Sequence, residues 1–557
     1  MKRVASAVWD NIGFVCVAIV LIYCVVHAFD PPRLNWGDSG SDYNVMIAGR
    51  NFQKYGFLKM HLTPVLMDAS LLVMPEDQPF IYTHYPQLPD LMNGVLRTVF
   101  GLSDIVQFRL VALLVSFSAL VFVYKLLSYY WGRRTAQIAL ALWVVNPLWI
   151  QHADYLHHGP YGAFFGFGCL YFLVRYFQDE TRTRFLVAAG VFMMFTVFAS
   201  YDYWFFAPLL VALATVANYR AVFRAPVIRV LGTLAVCAIG AVLLKLATNA
   251  WAFGSVRGLL DDLHFQFAER ATDTVTRSSF QTGVWDTMYG RVERFFTLLL
   301  FPIAAFWAIA PLLRRRFVSR WPALGGVRSN PIFLLLAALP FLYVFREIWI
   351  GQYYPGLLVL PFYAVASAAM IVLLLQTDQR IVRVAGGVLL AGLLANSLDE
   401  DASFKKAFFR REDIRTLKAQ LDSVSRPGQR LLINNVSDPL YRYYFDRQTV
   451  QLILNPPGVV EIAIASHSNP LTHPRSGTPE GAIFVQHKNL KDEMFDKGYY
   501  YILGRYRLWK LWGNPPKYRD VIDTLMIERD SVLMSKVARV GHKLYETNRY
   551  VVWRVKP

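Results

Sequence analysis

Residues 185–219 read FLVAAGVFMMFTVFASYDYWFFAPLLVALATVANY, with Arg182 and Arg184 just before them and Arg220 just after. Read as one long helix, this stretch would put the two basic clusters on opposite sides of a bilayer. Read as two short spans turning at Ser200–Tyr203, it puts both on the same side. The rest of the chain agrees with the second reading. Lys2 and Arg3 precede the first apolar segment. Lys125 with Arg133 and Arg134, then Arg224 and Arg229, then Arg314, Arg315, Arg316 and Arg320, then Arg380 and Arg383 fall in alternate loops. Cytoplasmic loops are the ones that carry such an excess of Lys and Arg.

Composition supports the same class. Of 557 residues, 55% are hydrophobic, 15% aromatic and only 17% charged, which is too apolar for a soluble protein. Apolar segments lie near 11–29, 104–126, 135–150, 160–177, 185–199, 203–219, 230–251, 295–313, 331–346, 354–375 and 382–397. Since a spanning helix needs roughly 17–25 residues, these predict an α-helical polytopic membrane protein of about eleven helices. The net charge of +18 would point to nucleic acid in a soluble chain, but the positive-inside pattern accounts for it, and no nucleic-acid partner is expected. The first segment has no small-residue cleavage site before Asp30-Pro31-Pro32 and reads as an anchor, not a signal peptide. Cys16, Cys24, Cys169 and Cys237 all fall in predicted spans and imply neither disulfides nor a metal.

By parity the N-terminus is cytoplasmic, and loops 30–103, 150–159, 252–294 and 346–353 face outward with everything after about 398. At Asn396–Asp401 the composition changes from apolar to charged. This predicts a transmembrane domain over 1–397 and a small soluble α/β domain over 398–557. Within the latter, Gln429–Val436 and Lys497–Leu503 read as strands and Asp413–Val424 as a helix. Asn435-Val436-Ser437 is a formal glycosylation sequon, a triplet common by chance. No repeat or low-complexity tract is visible.

Chemistry concentrates in the outward loops. Asp38 and Asp42 follow the first span and open a predicted amphipathic helix, with Tyr43, Met46, Ile47 and Phe52 on one face and Asn44, Arg50, Gln53 and Lys54 more polar. Such a helix belongs in the interface plane. The two carboxylates fit equally as N-terminal caps. Further on, Ile81–Pro89 holds Tyr82 and His84 in a proline-fixed turn leading into another short helix. The loop QHADYLHHGPY, 151–161, gathers His152, Asp154, His157 and His158. Histidine with carboxylate is metal-ligand chemistry. Asp154, His152 and His158 are the candidate ligands of a divalent ion, although no H-x-x-x-H pair marks a dedicated zinc site. Asp202 sits at the tight turn, and Arg346-Glu347 with Gln352-Tyr353-Tyr354-Pro355 closes the last outward hairpin. Arg346 suits a phosphate clamp, since guanidinium pairs with phosphate oxygens bidentately. Lys245, inside a predicted span, reads as a snorkelling or cavity-lining residue.

The order of these features resembles a known family. A span is followed by an acidic loop with D-x-x-x-D-Y, then Y-x-H-Y-P-x-L-P, and later Q-Y-Y-P-G-L-L-V-L-P at a span entrance. This is similar to the GT-C glycosyltransferases that use polyprenyl-phosphate sugars, especially bacterial relatives of protein O-mannosyltransferases and lipid A aminoarabinose transferases. The likeness covers roughly 1–397. It implies an inverting transfer of sugar from a polyprenyl-phosphate donor to a hydroxyl of a lipid, polysaccharide or protein acceptor. By position, the base is Asp42 or Asp38. The family's usual Asp-Glu is absent, so the choice stays open. Gln87 stands where a second proline is usual, and Gln352 where histidine or lysine often sits. Under this resemblance His84, Arg346, Arg50 and Lys54 stabilise the departing phosphate, and Tyr82, Asp154, His157 and Tyr353 contact donor or substrate. The implied location is a bacterial inner membrane, with the C-terminal domain periplasmic.

Two rivals share the composition. A transporter or flippase would show paired broken helices and internal repeats, which this sequence lacks. A noncatalytic subunit of an envelope polysaccharide system would tolerate replacement of both Asp38 and Asp42.

Overall fold

A computed structural model describes residues 11–29, 39–64, 86–217, 225–271, 292–293, 295–317, 330–344, 354–408, 411–425, 430–433, 448–451, 482–487, 541–546 and 550–555. The chain divides into two compact units. The first is drawn from Met1–Phe29, Thr83–Trp251 and Trp285–Ala407, the second from Asp30–Tyr82, Ala252–Val284 and Phe408–Pro557.

The first unit is a helical bundle of α1 (Ile12–Ala28), α3 (Leu88–Phe100), α4 (Ile105–Val144), α5 (Pro147–His152), α6 (His158–Gln178), α7 (Thr183–Ala199), α8 (Tyr201–Ala217), α9 (Ala225–Phe253), α11 (Leu300–Phe317), α12 (Ile332–Val344), α13 (Leu360–Leu375) and α14 (Arg380–Phe408). Among the described residues α4, α9 and Arg380–Asp399 are long and apolar enough to cross a membrane, and shorter apolar helices include Ile12–Ala28, Thr183–Ala199 and Leu360–Leu375. The segments 104–126 and 135–150, read as separate spans, lie on the two sides of a kink in α4, whose 40 residues are two helices joined at Gly132. Straight, it would measure about 60 Å, twice a hydrocarbon core of about 30 Å. It is broken at Gly132, whose φ of 82° and ψ of 163° are non-helical and open to glycine without the Cβ penalty other residues carry. The break falls beside Arg133 and Arg134, where the charge pattern requires a turn. Asp104 starts α4 with a capping box: its side chain accepts from Val106 N at 2.8 Å, and Gln107 Oε1 accepts from Asp104 N at 3.2 Å.

The predicted turn between α7 and α8 is a single residue. Ser200 is extended (φ −159°, ψ 126°) and its N–H closes α7 on Thr196 O at 2.9 Å. Small residues set how closely α6 packs here. A Cβ on Gly162 would lie 2.4 Å from Ser200 Cβ, and one on Gly168 would lie 2.3 Å from the Phe192 ring. At the other end of the bundle α1 meets α4, where Gln137 Oε1 accepts from Gly13 N at 2.9 Å. Trp307 Nε1 donates to Ala366 O at 3.1 Å and Asn330 Nδ2 to Trp307 O at 2.8 Å, tying α11 to α13 and to the start of α12.

The second unit contains α2 (Ser39–Tyr55), α10 (Val256–Ala271), α15 (Arg411–Val424) and a sheet of β1 (Arg430–Ile433), β2 (Gln448–Gln451), β3 (Ala482–His487), β4 (Gly541–Glu546) and β5 (Tyr550–Val555). The strand order is β2-β1-β3-β5-β4. β1 runs parallel to β2 and β3, and β5 antiparallel to β3 and β4. The register shifts between Lys543 and Tyr545. The predicted strand at Gln429–Val436 and helix at Asp413–Val424 thus appear as β1 and α15, whereas Lys497–Leu503 lies outside the described residues. The composition change at Asn396–Asp401 does not end its helix, which continues to Phe408.

Candidate active site

The polar end of the first unit is assembled from four helix starts and one helix finish. Asn146 begins it: its Oδ1 accepts from Leu148 N at 3.0 Å, capping α5, and its Nδ2 donates to Phe295 O at 2.7 Å. Ser116 Oγ of α4 donates to Ala153 O at 2.6 Å. These bonds fold the stretch between α5 and α6 into the bundle, so that Gln151, His152, Asp154, His157 and His158 are all buried. His152 Nδ1 meets Leu148 O at 2.8 Å. A carbonyl only accepts, so Nδ1 carries the proton of this bond.

His157 and His158 touch through their Nδ1 atoms, with rings nearly perpendicular and centroids 4.4 Å apart. His158 Nε2 faces Asp202 Oδ2, in the first turn of α8, at 3.6 Å. Burial pushes His157 down to about 3, so this imidazole is neutral at ordinary pH. A hydrogen bond between the two Nδ1 atoms needs one ring to donate and the other to accept. Gly159 lies beside the short turn Tyr354–Leu358: a Cβ there would be 3.7 Å from Leu357 Cδ1.

A second string of polar groups runs from α3 to α9 and α8. Gln87 Nε2 donates to Thr248 Oγ1 at 3.3 Å, and Thr248 Oγ1 donates to Lys245 O at 2.8 Å. Lys245, 7% exposed, donates to the Tyr201 hydroxyl. On α3, Asp90 is 1% exposed and its Oδ2 has no hydrogen-bond partner among the described residues. Its charge is felt at Tyr161 on α6. Burial pushes the Asp90 carboxyl up to about 8, against the opposing pull of its own backbone N–H. One and two turns on, Arg97 Nε donates to Asn93 Oδ1 at 2.9 Å and packs 4.8 Å over the Phe108 ring.

In the second unit, Asp42 lies in the first turn of α2 and is 6% exposed. Met46, Ile47 and Phe52 are buried as the amphipathic pattern predicts, and Val45 and Ala48 are buried with them. Arg50, Gln53 and Lys54 are exposed. Arg50 lies eight positions from Asp42, about 12 Å along the axis, and Lys54 sits 4.8 Å over the Tyr55 ring. Asp38, Tyr82, His84, Arg346 and Tyr353 lie outside the described residues. Among the described residues no three His, Cys, Asp or Glu side chains are grouped to hold a metal, Asp154, His152 and His158 included.

The sequence reading passed over Asp90 and set Lys245 aside. A signal for Asp90 existed: Asp90, Asn93 and Arg97 stand at i, i+3 and i+7, a polar stripe on an otherwise apolar helix.

No known family's sequence profile matches the chain, and no curated protein does. Solved structures do. ArnT from Cupriavidus metallidurans bound to undecaprenyl phosphate superposes with a TM-score of 0.54 at 13% identity, covering 97% of both chains. The Archaeoglobus fulgidus oligosaccharyltransferase tethered to an acceptor peptide gives 0.52 at 12% identity over 87% of this chain and 70% of that one. The archaeal oligosaccharyltransferase AglB, from the same organism and in complex with an inhibitory peptide and a dolichol-phosphate, gives 0.50 at 12% over 88% and 71%. Both kinds of protein are GT-C glycosyltransferases, and this chain has the GT-C fold.

Proposed function

We propose that this protein is an integral membrane glycosyltransferase that moves a sugar from a polyprenyl-phosphate donor to an acceptor hydroxyl on the outer face of a bacterial inner membrane. The observation that carries the reading is the fold shared with ArnT over nearly the whole of both chains, that relative being bound to undecaprenyl phosphate. The buried polar groups at the ends of α3, α6, α8 and α9 support it, since a transfer of charge needs polar groups held in place beforehand.

In this reading an aspartate base, Asp42 or Asp38, takes the proton of the acceptor hydroxyl. The hydroxyl oxygen bonds to the anomeric carbon as that carbon's bond to the phosphate oxygen breaks, and the configuration inverts. The lipid phosphate leaves with the bonding pair, met by cationic groups such as Arg346 and His84. Asp154 and His157 position the donor. Residues 1–397 form the catalytic membrane domain and 398–557 a periplasmic domain, with the N-terminus cytoplasmic.

The test is transfer of radiolabelled sugar from polyprenyl-phosphate donors in membranes carrying wild type, Asp42→Asn or Asp38→Asn. Loss of transfer in just one well-folded variant identifies the base. Unchanged transfer in both moves the chemistry elsewhere, and no transfer by wild type from any donor returns the transporter and assembly-subunit readings.

A further inference from the structure

Lys245 is buried in the last third of α9, eight residues before the helix ends at Phe253, about 12 Å along its axis. Its ammonium donates to the Tyr201 hydroxyl and lies 4.1 Å from the centroid of the same ring. No carboxylate among the described residues pairs with it. The nearest acid in sequence to its partner, Asp202, is turned to His158 on α6. Ion-pair geometry has thus gone to the histidine, and the lysine is left with a neutral phenol.

This arrangement is a poor choice for stability. A buried ammonium without a counter-charge is costly, and an apolar side chain of similar volume fills such space more favourably. A tyrosine offers one neutral acceptor and a ring quadrupole, which recover part of the loss. An oxyanion offers formal charge and a stronger, charge-assisted hydrogen bond. Ionisable groups at membrane depth are kept where a ligand needs them. The same helix is tied through Thr248 to Gln87, in the turn that opens α3, so Lys245 belongs to the polar end of the bundle and not to its lipid-facing wall.

We propose that Lys245 binds the anionic head of the lipid-linked substrate, and that Tyr201 holds its place in the free protein. The oxyanion takes the ammonium from the phenol, whose hydroxyl is a competitor for the site and not a ligand of the phosphate. This deepens the donor reading above and rests on it.

The experiment measures binding of undecaprenyl phosphate and of undecaprenol to the purified full-length protein in lipid nanodiscs. Wild type binds the phosphate at least roughly tenfold more tightly than the alcohol, a difference of one ionic contact. Lys245→Met loses most of that preference while binding the alcohol like wild type, and Lys245→Arg keeps it. Tyr201→Phe binds the phosphate as tightly as wild type or a few-fold more tightly, because nothing has to be displaced. The proposal is overturned if Lys245→Met retains the preference, or if Tyr201→Phe weakens phosphate binding as far as Lys245→Met does. Wild type without any preference for the phosphate would overturn the lipid-phosphate donor itself, a distinguishable failure.

Discussion

Replacing Asp90 by asparagine tests the polar end of the bundle through stability alone. The folded Asp90 carboxyl holds its proton up to about 8, whereas in the unfolded chain it releases it near 4. Between those values the unfolded state binds fewer protons, so stability falls as pH rises. The contribution is fully present below about 4 and lost through about 8. The slope is about 1.4 kcal/mol per pH unit, and across the whole window it sums to roughly 5 to 6 kcal/mol, a ceiling that water penetration lowers. Asp90→Asn keeps the shape and removes the titration. Thermal unfolding of both proteins in the same nanodiscs from pH 5 to pH 9 should give similar midpoints at the acid end. The variant should gain steadily on the wild type from pH 5 to about pH 8, level off above that, and be several degrees more stable at pH 8.5. A midpoint difference independent of pH would refute the reasoning, because the buried carboxyl would then not be the group that titrates.

Other consequences follow from the packing. Gly13→Ala sets a Cβ 2.5 Å from the Gln137 carbonyl and should cost about 1–3 kcal/mol by overpacking, seen as a lower unfolding midpoint with unchanged helix content by circular dichroism. Gly162→Ala meets Ser200 Cβ at 2.4 Å; it should destabilise by a similar amount and reduce sugar transfer, and adding Ser200→Gly should restore part of both. Asn146→Ala removes a helix cap and leaves the Phe295 carbonyl without its 2.7 Å donor, which should cost about 1–3 kcal/mol in the same thermal assay. Asp202→Asn leaves the shape beside His158 intact but withdraws the charge facing Nε2; transfer should fall while the midpoint moves little.

The fold was legible where charge and apolar length act together. The turn at Ser200 follows from arginines on either side of residues 185–219 and needs no knowledge of packing. The break in α4 was legible in the same way, as two segments around Arg133 and Arg134, though not the fact that helical hydrogen bonding resumes on both sides of one glycine. Strand β1 was readable because a run such as RLLI has few other uses in a polar context. The continuation of α14 past Asn396–Asp401 was not, since a helix tolerates a change of solvent along its axis as long as its backbone bonds are made within the segment.

The site was less legible, for a reason visible in its bonds. The cluster His152, Asp154, His157 and His158 was found by density, but its burial depends on Ser116 and on the Phe295 carbonyl, far away in sequence. Asp90 looks like an ordinary first-turn acid, a common stabiliser of a helix start, and only the removal of water around it makes its carboxyl unusual. Lys245 looked like a snorkelling residue because a single lysine in an apolar run is usually read that way. What distinguishes it is its partner, a tyrosine forty-four positions back at the turn between α7 and α8. That turn was read for topology alone. The same one-residue bend also aims Tyr201 at Lys245 and Asp202 at His158, so the feature that sets the path of the chain supplies two contacts of the candidate site.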